Sequence, residues 1–119
     1  KLWDIYHNSF CGLESGGQIR RPLVPMNCTH NAHMYYLLLP DAEQRSALIS
    51  YLNKKGVLAI FHYIPLHESP AGKAYGRTHG KLRVTESLSR RIVRLPLWIE
   101  MGRHMKKIIK FSREALSRK

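Results

Sequence analysis

Two apolar runs on either side of a well-marked helix constrain the fold most strongly. Residues 33–39 read HMYYLLL and residues 57–63 read VLAIFHY, and each run has the length and residue types of a strand. Between them, Asp41 is a good N-cap, Gln44 completes a capping-box pattern, and Gly56 suits the position after the helix C-cap. We therefore predict a strand, a helix and a buried strand, whose short connections make a two-layer unit.

The flanking segments add further elements. Residues 1–13 place apolar side chains near helical spacing, and Gly12 is expected to stop that helix. Thr85 is the expected cap of another helix, residues 93–95 form a short strand, and a last helix runs from about Gly102. The stripe predicted for the first helix comprises Leu2, Ile5, Tyr6, Ser9 and Leu13, and that of the last comprises Met101, Met105, Ile108, Ile109, Ser112 and Leu116. Together these elements predict one α+β domain with a modest core.

The most distinctive chemistry follows the second predicted strand. His62 and Tyr63 end the apolar run, and both side chains can donate, accept or titrate. Pro65 then fixes φ and removes a donor, and His67 follows on the exit loop. A strand that delivers His and Tyr to its end and then stiffens is a common way to present a site. A core strand followed by an ordinary loop is the alternative.

The charge of the chain raises a second hypothesis. Twenty Lys and Arg residues stand against eight Asp and Glu residues, so the formal net charge is +12. Such a charge is compatible with a free-standing, non-catalytic module that binds a polyanion or a partner protein. Because many basic residues fall in residues 90–94 and 106–119, where helical surface is expected, a solvated basic face or one that meets an acidic partner domain is the simpler interpretation.

Several other classes of function are disfavoured. Cys11 and Cys28 lack C-x-x-C spacing and any local nucleophile motif, which favours reduced thiols in a cytosolic protein. The seven histidines include only two close pairs, neither with the further partners of a zinc site, so we expect no metal. No apolar run approaches the roughly 18 residues of a membrane helix. No signal peptide or phosphate-binding Gly-rich loop is recognised, and the absence of an initiator Met suggests a fragment of a longer protein.

Four stretches together resemble the DegT/DnrJ/EryC1/StrS family of nucleotide-sugar aminotransferases. They are NAHMYY at residues 31–36, the helix DAEQRSALISYLNKKG at residues 41–56, HYIPLH and SPAG within residues 62–72, and RLPL at residues 94–97. The resemblance covers residues 1–111. It implies the C-terminal small domain of a pyridoxal-phosphate enzyme, with a small, mainly antiparallel sheet of about three strands and helices on one face.

The resemblance also indicates what this chain lacks. The family's Schiff-base lysine lies in a Ser-Phe-His-x-x-Lys-like segment of the N-terminal domain, and no such segment occurs here. We therefore expect residues 1–119 to be a small domain without the pyridoxal-phosphate-binding domain, inactive alone and without a catalytic residue. The implied parent is a cytoplasmic homodimer that moves an amino group from glutamate to the 4-keto carbon of a dTDP-linked 6-deoxyhexose, for surface polysaccharide or lipopolysaccharide assembly. Neither a membrane nor a nucleic acid is expected as a partner.

Five residues match the family at positions expected to bind substrate. His62 and Tyr63 match its HY pair at the mouth of the site and are expected to face the hexose or its phosphates. His67 matches the second His of the same motif. His33, which opens the first predicted strand, and Arg94, which matches a position near the domain interface, complete the set. A hydrogen-bonded structural histidine and a surface arginine are the alternatives for these two.

Overall fold

The computed structural model describes residues 1–117 and contains one three-stranded sheet. Strand β1 spans Tyr35–Leu38, β2 spans Ile60–Phe61, and β3 spans Ile92–Leu95. The strand order is β1-β3-β2, and both pairs are antiparallel. The predicted α+β class with a small antiparallel sheet is therefore confirmed. Residues 118 and 119, the end of the basic tail seen in the sequence, lie outside the described residues.

Helices account for most of the rest of the chain. They are α1 (Leu2–Ser9), α2 (Cys11–Ser15), α3 (Ala42–Lys54), α4 (Pro70–Tyr75), α5 (Arg83–Arg91) and α6 (Gly102–Leu116), with a short 3₁₀ turn at Leu66–Glu68. Helix α3 packs against α5, α6 and β3, and α1 packs against α6. Within residues 1–117, none of the helices has the length and apolar character that crossing a membrane requires.

The strand register separates a buried face of the sheet from a more open one. Tyr35 and Leu37 of β1 pair with Leu95 and Val93 of β3, and all four side chains are buried. Because side chains alternate along a strand, these residues share one face. They join a core that also contains Leu39, Leu48, Leu52, Val57, Ala59, Met101, Met105 and Ile108. The other face carries the partly exposed row of Tyr36, Arg94 and Ile60.

An aromatic cluster joins α1 to β1. Trp3, Tyr6 and Phe10 are buried against Tyr35, with ring centroids 5.4, 5.0 and 6.1 Å from the Tyr35 ring. The Tyr6 hydroxyl donates a hydrogen bond of 2.8 Å to the carbonyl of Pro96, which fixes α1 to the chain after β3. The predicted stripe of the first helix was therefore only partly right. Tyr6 and Leu13 are buried, whereas Ile5 is exposed and the aromatic side chains carry the contact.

The prediction of a buried strand over residues 57–63 is wrong. Only Ile60 and Phe61 pair with β3, and both are exposed. The segment before β2 makes local hydrogen bonds instead of strand pairs. The Ala59 N–H donates to the Asn53 side-chain oxygen at 3.0 Å, and the Val57 N–H donates to the Leu52 carbonyl in the last turn of α3 at 2.9 Å. An apolar run alone does not distinguish these backbone arrangements.

Helix boundaries set by local hydrogen bonds were predicted best. Asp41 caps α3 by accepting the Gln44 N–H at 2.7 Å, and the Gln44 side-chain amide donates to the same carboxylate. Gly56 follows α3 with φ +70°, a conformation that favours glycine. Thr85 does not cap α5. That helix begins at Arg83, two residues earlier.

Two further predictions about the outer helices had different outcomes. Gly12 does not stop the first helix, because the break falls at Phe10 and Gly12 lies inside α2. The predicted stripe of α6 is confirmed, since Met105, Ile108 and Ser112 are its buried residues. The periodicity of these residues could be recognised because they lie on one helix of 15 residues.

Candidate substrate-binding site

Three of the five predicted site residues come together at the open face of the sheet. Arg94 lies on β3, and its guanidinium carbon is 6.0 Å from the centre of the Tyr63 ring. The ring centroids of His62 and Tyr63 are 5.1 Å apart, and the ring planes meet at 62°. We call Arg94, His62 and Tyr63 the HYR cluster. Edge strand β2 sets this geometry, because its last residue delivers His62 and Tyr63 beside the central strand that carries Arg94.

The two aromatic members of the HYR cluster differ in exposure and in electrostatics. Burial lowers the pKa of His62, and the positive charge of Arg94 lowers it further. The imidazole is therefore neutral near pH 7, and its Nδ1 is buried without a hydrogen-bond partner among the described residues. Tyr63 is 75% exposed. The cluster thus offers a cation, a neutral imidazole and an accessible phenol ring within one small area.

A shallow cavity of about 260 Å³ lies beside His62 and Tyr63. Two cations border it that the sequence did not single out, Arg45 from α3 and Arg90 from α5. The Arg45 guanidinium carbon lies 6.0 Å from the Phe61 ring, and its Nε donates to the Arg90 carbonyl at 3.0 Å. No local signal could have revealed these residues, because the packing of α3 and α5 brings them to the site.

His67 lies in a separate ion-pair network. Its Nε2 is 3.4 Å from a carboxylate oxygen of Glu86 on α5, and neighbouring Glu68 binds Arg90 at 2.8 Å. Ligand atoms of His67, Glu68 and Glu86 lie within 4.8 Å of one another. Because each carboxylate already faces a basic side chain, we interpret the group as a network that holds the 3₁₀ turn against α5. The structure does not bring His67 into the HYR cluster.

His33 also lies apart from His62 and Tyr63. It precedes β1, which begins at Tyr35, so the prediction that His33 opens the strand is wrong. Its Nδ1 is 2.6 Å from the Asn31 side-chain oxygen, and the side chain is exposed. His33 lines a larger cavity of about 450 Å³ that it shares with Arg94. Arg94 is therefore the residue common to both regions.

The residues present do not fit pyridoxal phosphate by themselves. The cofactor requires a lysine for the Schiff base, held in an enclosed site with a partner for the pyridine nitrogen. Every lysine in the described part of the chain is solvent-exposed. We therefore assign no catalytic step to this chain, and the HYR cluster is a candidate for binding only.

Comparison with known proteins finds sugar aminotransferases. The model of the DegT/DnrJ/EryC1/StrS aminotransferase family matches residues 1–111. A curated relative, dTDP-3-amino-3,4,6-trideoxy-alpha-D-glucose transaminase of Streptomyces venezuelae, is 29% identical over 75 residues, which cover 62% of this chain and 20% of the relative. The similarity to these proteins lends no support to a free-standing polyanion-binding module.

Solved structures agree with the family and with the fold. DesV of S. venezuelae, solved with a ketimine intermediate, has a TM-score of 0.85 and 26% identity, and the match covers 99% of this chain and 31% of DesV. The aminotransferase TlmJ of Streptoalloteichus hindustanus has a TM-score of 0.79 and 27% identity, covering 98% of this chain and 31% of TlmJ. The PLP-form of a putative sugar aminotransferase from Streptococcus pneumoniae, at 21% identity and a TM-score of 0.63, shares the fold. The chain thus spans under a third of each of these relatives, and it belongs to the DegT/DnrJ/EryC1/StrS aminotransferase family.

Proposed function

We propose that this chain is the substrate-closing small domain of a pyridoxal-phosphate-dependent sugar aminotransferase. The single observation that carries the proposal is the HYR cluster, which places Arg94, His62 and Tyr63 together on an open face. Pyridoxal phosphate would supply the amino-transfer chemistry from a domain beyond this chain. The residues described here would bind and orient the nucleotide sugar.

Each member of the HYR cluster has a role that its environment supports. Arg94 has no ion-pair partner within residues 1–117, so its guanidinium is available to a diphosphate. The neutral imidazole of His62 can donate a hydrogen bond to a hexose hydroxyl or accept one from it. Tyr63 offers a flat ring and a hydroxyl. His67 would act indirectly, because its contact with Glu86 positions the loop after Tyr63.

His33 is the fifth predicted site residue, and it lies apart from His62 and Tyr63. It lines the larger cavity together with Arg94, and neither His62 nor Tyr63 lines that cavity. We propose that it approaches the substrate only if the nucleotide extends past Arg94 toward β1. The hydrogen bond that His33 Nδ1 donates to the Asn31 side-chain oxygen would then fix the orientation of the imidazole ring.

The proposed substrate is a dTDP-4-keto-6-deoxyhexose, and the proposed amino donor is glutamate. HYIPLH followed by SPAG resembles the version found in dTDP-4-amino-4,6-dideoxygalactose transaminases. That would place the parent, a cytoplasmic homodimer, in lipopolysaccharide or enterobacterial common antigen synthesis. The name of the curated relative instead specifies an amino group at carbon 3. Both keto sugars therefore belong in the test.

The proposal can be tested with the whole protein that carries this chain. Formation of 2-oxoglutarate from glutamate should require pyridoxal phosphate and a dTDP-4-keto-6-deoxyhexose, with a dTDP-3-keto-4,6-dideoxyhexose as the competing substrate. Activity with the 3-keto sugar alone would refute the substrate assignment. No activity with either sugar would refute the proposed reaction.

The role of the HYR cluster needs a matched variant. Tyr63→Ala should raise KM for the nucleotide sugar about tenfold, because it removes a hydrogen bond and a contact with Arg94 that together contribute about 1–2 kcal/mol. The KM for glutamate should stay unchanged. Tyr75→Ala is the control, since Tyr75 is 92% exposed and lies outside the cluster. Equal effects of the two variants would contradict the role of Tyr63.

A further inference from the structure

The larger cavity shares Arg94 with the HYR cluster, but neither His62 nor Tyr63 lines it. Its volume is about 450 Å³, within the range of pockets that hold small molecules. The segment after α3, the end of β3 and the first half of α6 form its walls. Val57, Leu95 and Ile108 are buried apolar residues in its lining. The cavity therefore has an apolar floor, and the residues that form it belong to the hydrophobic core.

The polar groups at this cavity are all basic. Arg94, Lys107, His33 and His104 line it, and no Asp or Glu is among the lining residues in the described part of the chain. Neither Arg94 nor Lys107 has an ion-pair partner within residues 1–117. Cations gathered without carboxylates repel one another, and an anion placed between them would relieve that repulsion. The ligand suited to these groups carries a negative charge.

The walls of the cavity expose a large apolar area. Trp98 is 52% exposed and Leu58 is 73% exposed, although both line the cavity. The Trp98 ring lies 6.0 Å from the His104 ring, so the indole and an imidazole share one wall. A planar ligand could cover the indole face and release the water over it. The ligand suited to these walls therefore has a flat apolar body.

Backbone strain occurs at both ends of this region. Ala32 and Glu100 are the two non-glycine residues with positive φ in the described residues, at +51° and +71°. Ala32 directly precedes His33, and Glu100 follows Trp98 by two positions. Such conformations cost energy and persist where the surrounding structure holds side chains in place. Here both conformations lie next to the segments that carry His33 and Trp98.

We propose that this cavity binds a small amphipathic anion, with a planar apolar body on Trp98 and a phosphate or carboxylate between Lys107 and Arg94. The proposed ligand is a separate small anion and not the nucleotide sugar, because Trp98 and Lys107 line this cavity and the HY pair does not, although Arg94 and His33 are shared with the function proposed above. Since Arg94 belongs to both regions, the test relies on Lys107 and Trp98, which do not line the cavity beside His62 and Tyr63.

The experiment is calorimetric titration of the protein that carries this chain, with three probes of one shape. They are 1-naphthyl phosphate, 1-naphthoate and neutral 1-naphthalenemethanol. Both anions should bind at least tenfold more tightly than the alcohol, and the ratio between the anions distinguishes a phosphate from a carboxylate ligand. Equal binding of all three probes would overturn the proposed role of charge. No binding, as expected if another segment of the protein fills the cavity, would overturn the site.

Matched variants distinguish this site from general surface charge. Lys107→Gln should weaken binding of the preferred anion about tenfold, the effect of one lost charge-assisted hydrogen bond. Lys106→Gln is the control, because Lys106 is an exposed cation on the same helix that does not line the cavity. Trp98→Ala should weaken binding and Ile99→Ala should not, since Ile99 is 87% exposed and lies outside this cavity. Equal losses within either pair would overturn the proposal.

Discussion

Two buried tyrosines in the aromatic cluster predict opposite effects of the same small substitution. Tyr6 and Tyr35 are both fully buried, their rings are 5.0 Å apart, and burial raises the pKa of each phenol, so both stay neutral. The Tyr6 hydroxyl donates to the Pro96 carbonyl at 2.8 Å. The Tyr35 hydroxyl is buried with no hydrogen-bond partner among the described residues. Phenylalanine at either position removes one oxygen and keeps the ring.

The expected magnitudes follow from that difference. Tyr6→Phe removes a hydrogen bond and leaves the half-buried Pro96 carbonyl unpaired, so the free energy of unfolding should fall by about 1–2 kcal/mol. Tyr35→Phe removes a polar atom that has lost its water without gaining a partner, so the free energy of unfolding should rise by about 1 kcal/mol. The two variants should therefore differ by about 2–3 kcal/mol. For a chain of this length, each kcal/mol shifts Tm by roughly 3–6 °C.

Urea unfolding of the 119-residue chain, followed by far-ultraviolet circular dichroism, measures both effects. The slope m should be the same in both variants and in the parent, because neither substitution changes the surface exposed on unfolding. The double variant provides a further check, since the rings touch and their coupling can be measured directly. Loss of as much stability from Tyr35→Phe as from Tyr6→Phe would refute the reasoning, because it would show that the Tyr35 hydroxyl is bonded.

Three further predictions concern charge and backbone. Glu100→Gly should raise the free energy of unfolding by about 0.5–1 kcal/mol in urea titration, because φ is +71° there, and a loss would contradict the strain. Arg21→Lys should cost about 1–2 kcal/mol in the same assay, since the Arg21 guanidinium makes two contacts of 2.7 Å with Glu14 and donates to the His7 carbonyl at 2.6 Å. The same change at exposed Arg20 should cost almost nothing, and equal costs would contradict the assignment. Burial lowers the pKa of His62, so the unfolded chain binds the proton more readily and stability should fall as pH drops below about 6.5. His62→Gln should flatten that slope in pH-dependent thermal unfolding, and an unchanged slope would contradict the pKa direction.

The sequence predicted best what depends on neighbours in the chain. The cap of α3 could be recognised because Asp41 and Gln44 bond each other across one turn. The central strand was expected over residues 93–95 and lies at Ile92–Leu95. The buried strand was wrong because the Asn53 side chain captures the Ala59 N–H, a bond that apolar periodicity does not reveal. Structure was therefore predictable from the sequence where the deciding hydrogen bonds join residues within one helical turn.

The candidate site was predictable in part for a related reason. The HY pair came from a resemblance in sequence, and the structure brings it to Arg94 through the pairing of β2 with β3. The contact of His67 with Glu86 joins residues 19 positions apart through the packing of α5 on the loop, and no local pattern predicts it. The second cavity likewise draws on four separate segments of the chain. Residues that meet only through tertiary packing have no signature in a single sequence.

The central position of β3 has a consequence for how the chain folds. Strands β1 and β2 do not pair with each other, and each forms its ladder with the strand that comes last. Apart from a single bridge between Leu38 and Arg20, β1 has no strand partner until β3, which begins at Ile92, is available. Such non-local pairing slows folding, because the intervening chain must be closed into a loop before any strand contact is gained. During synthesis, the sheet cannot begin to assemble until β3 has left the ribosome.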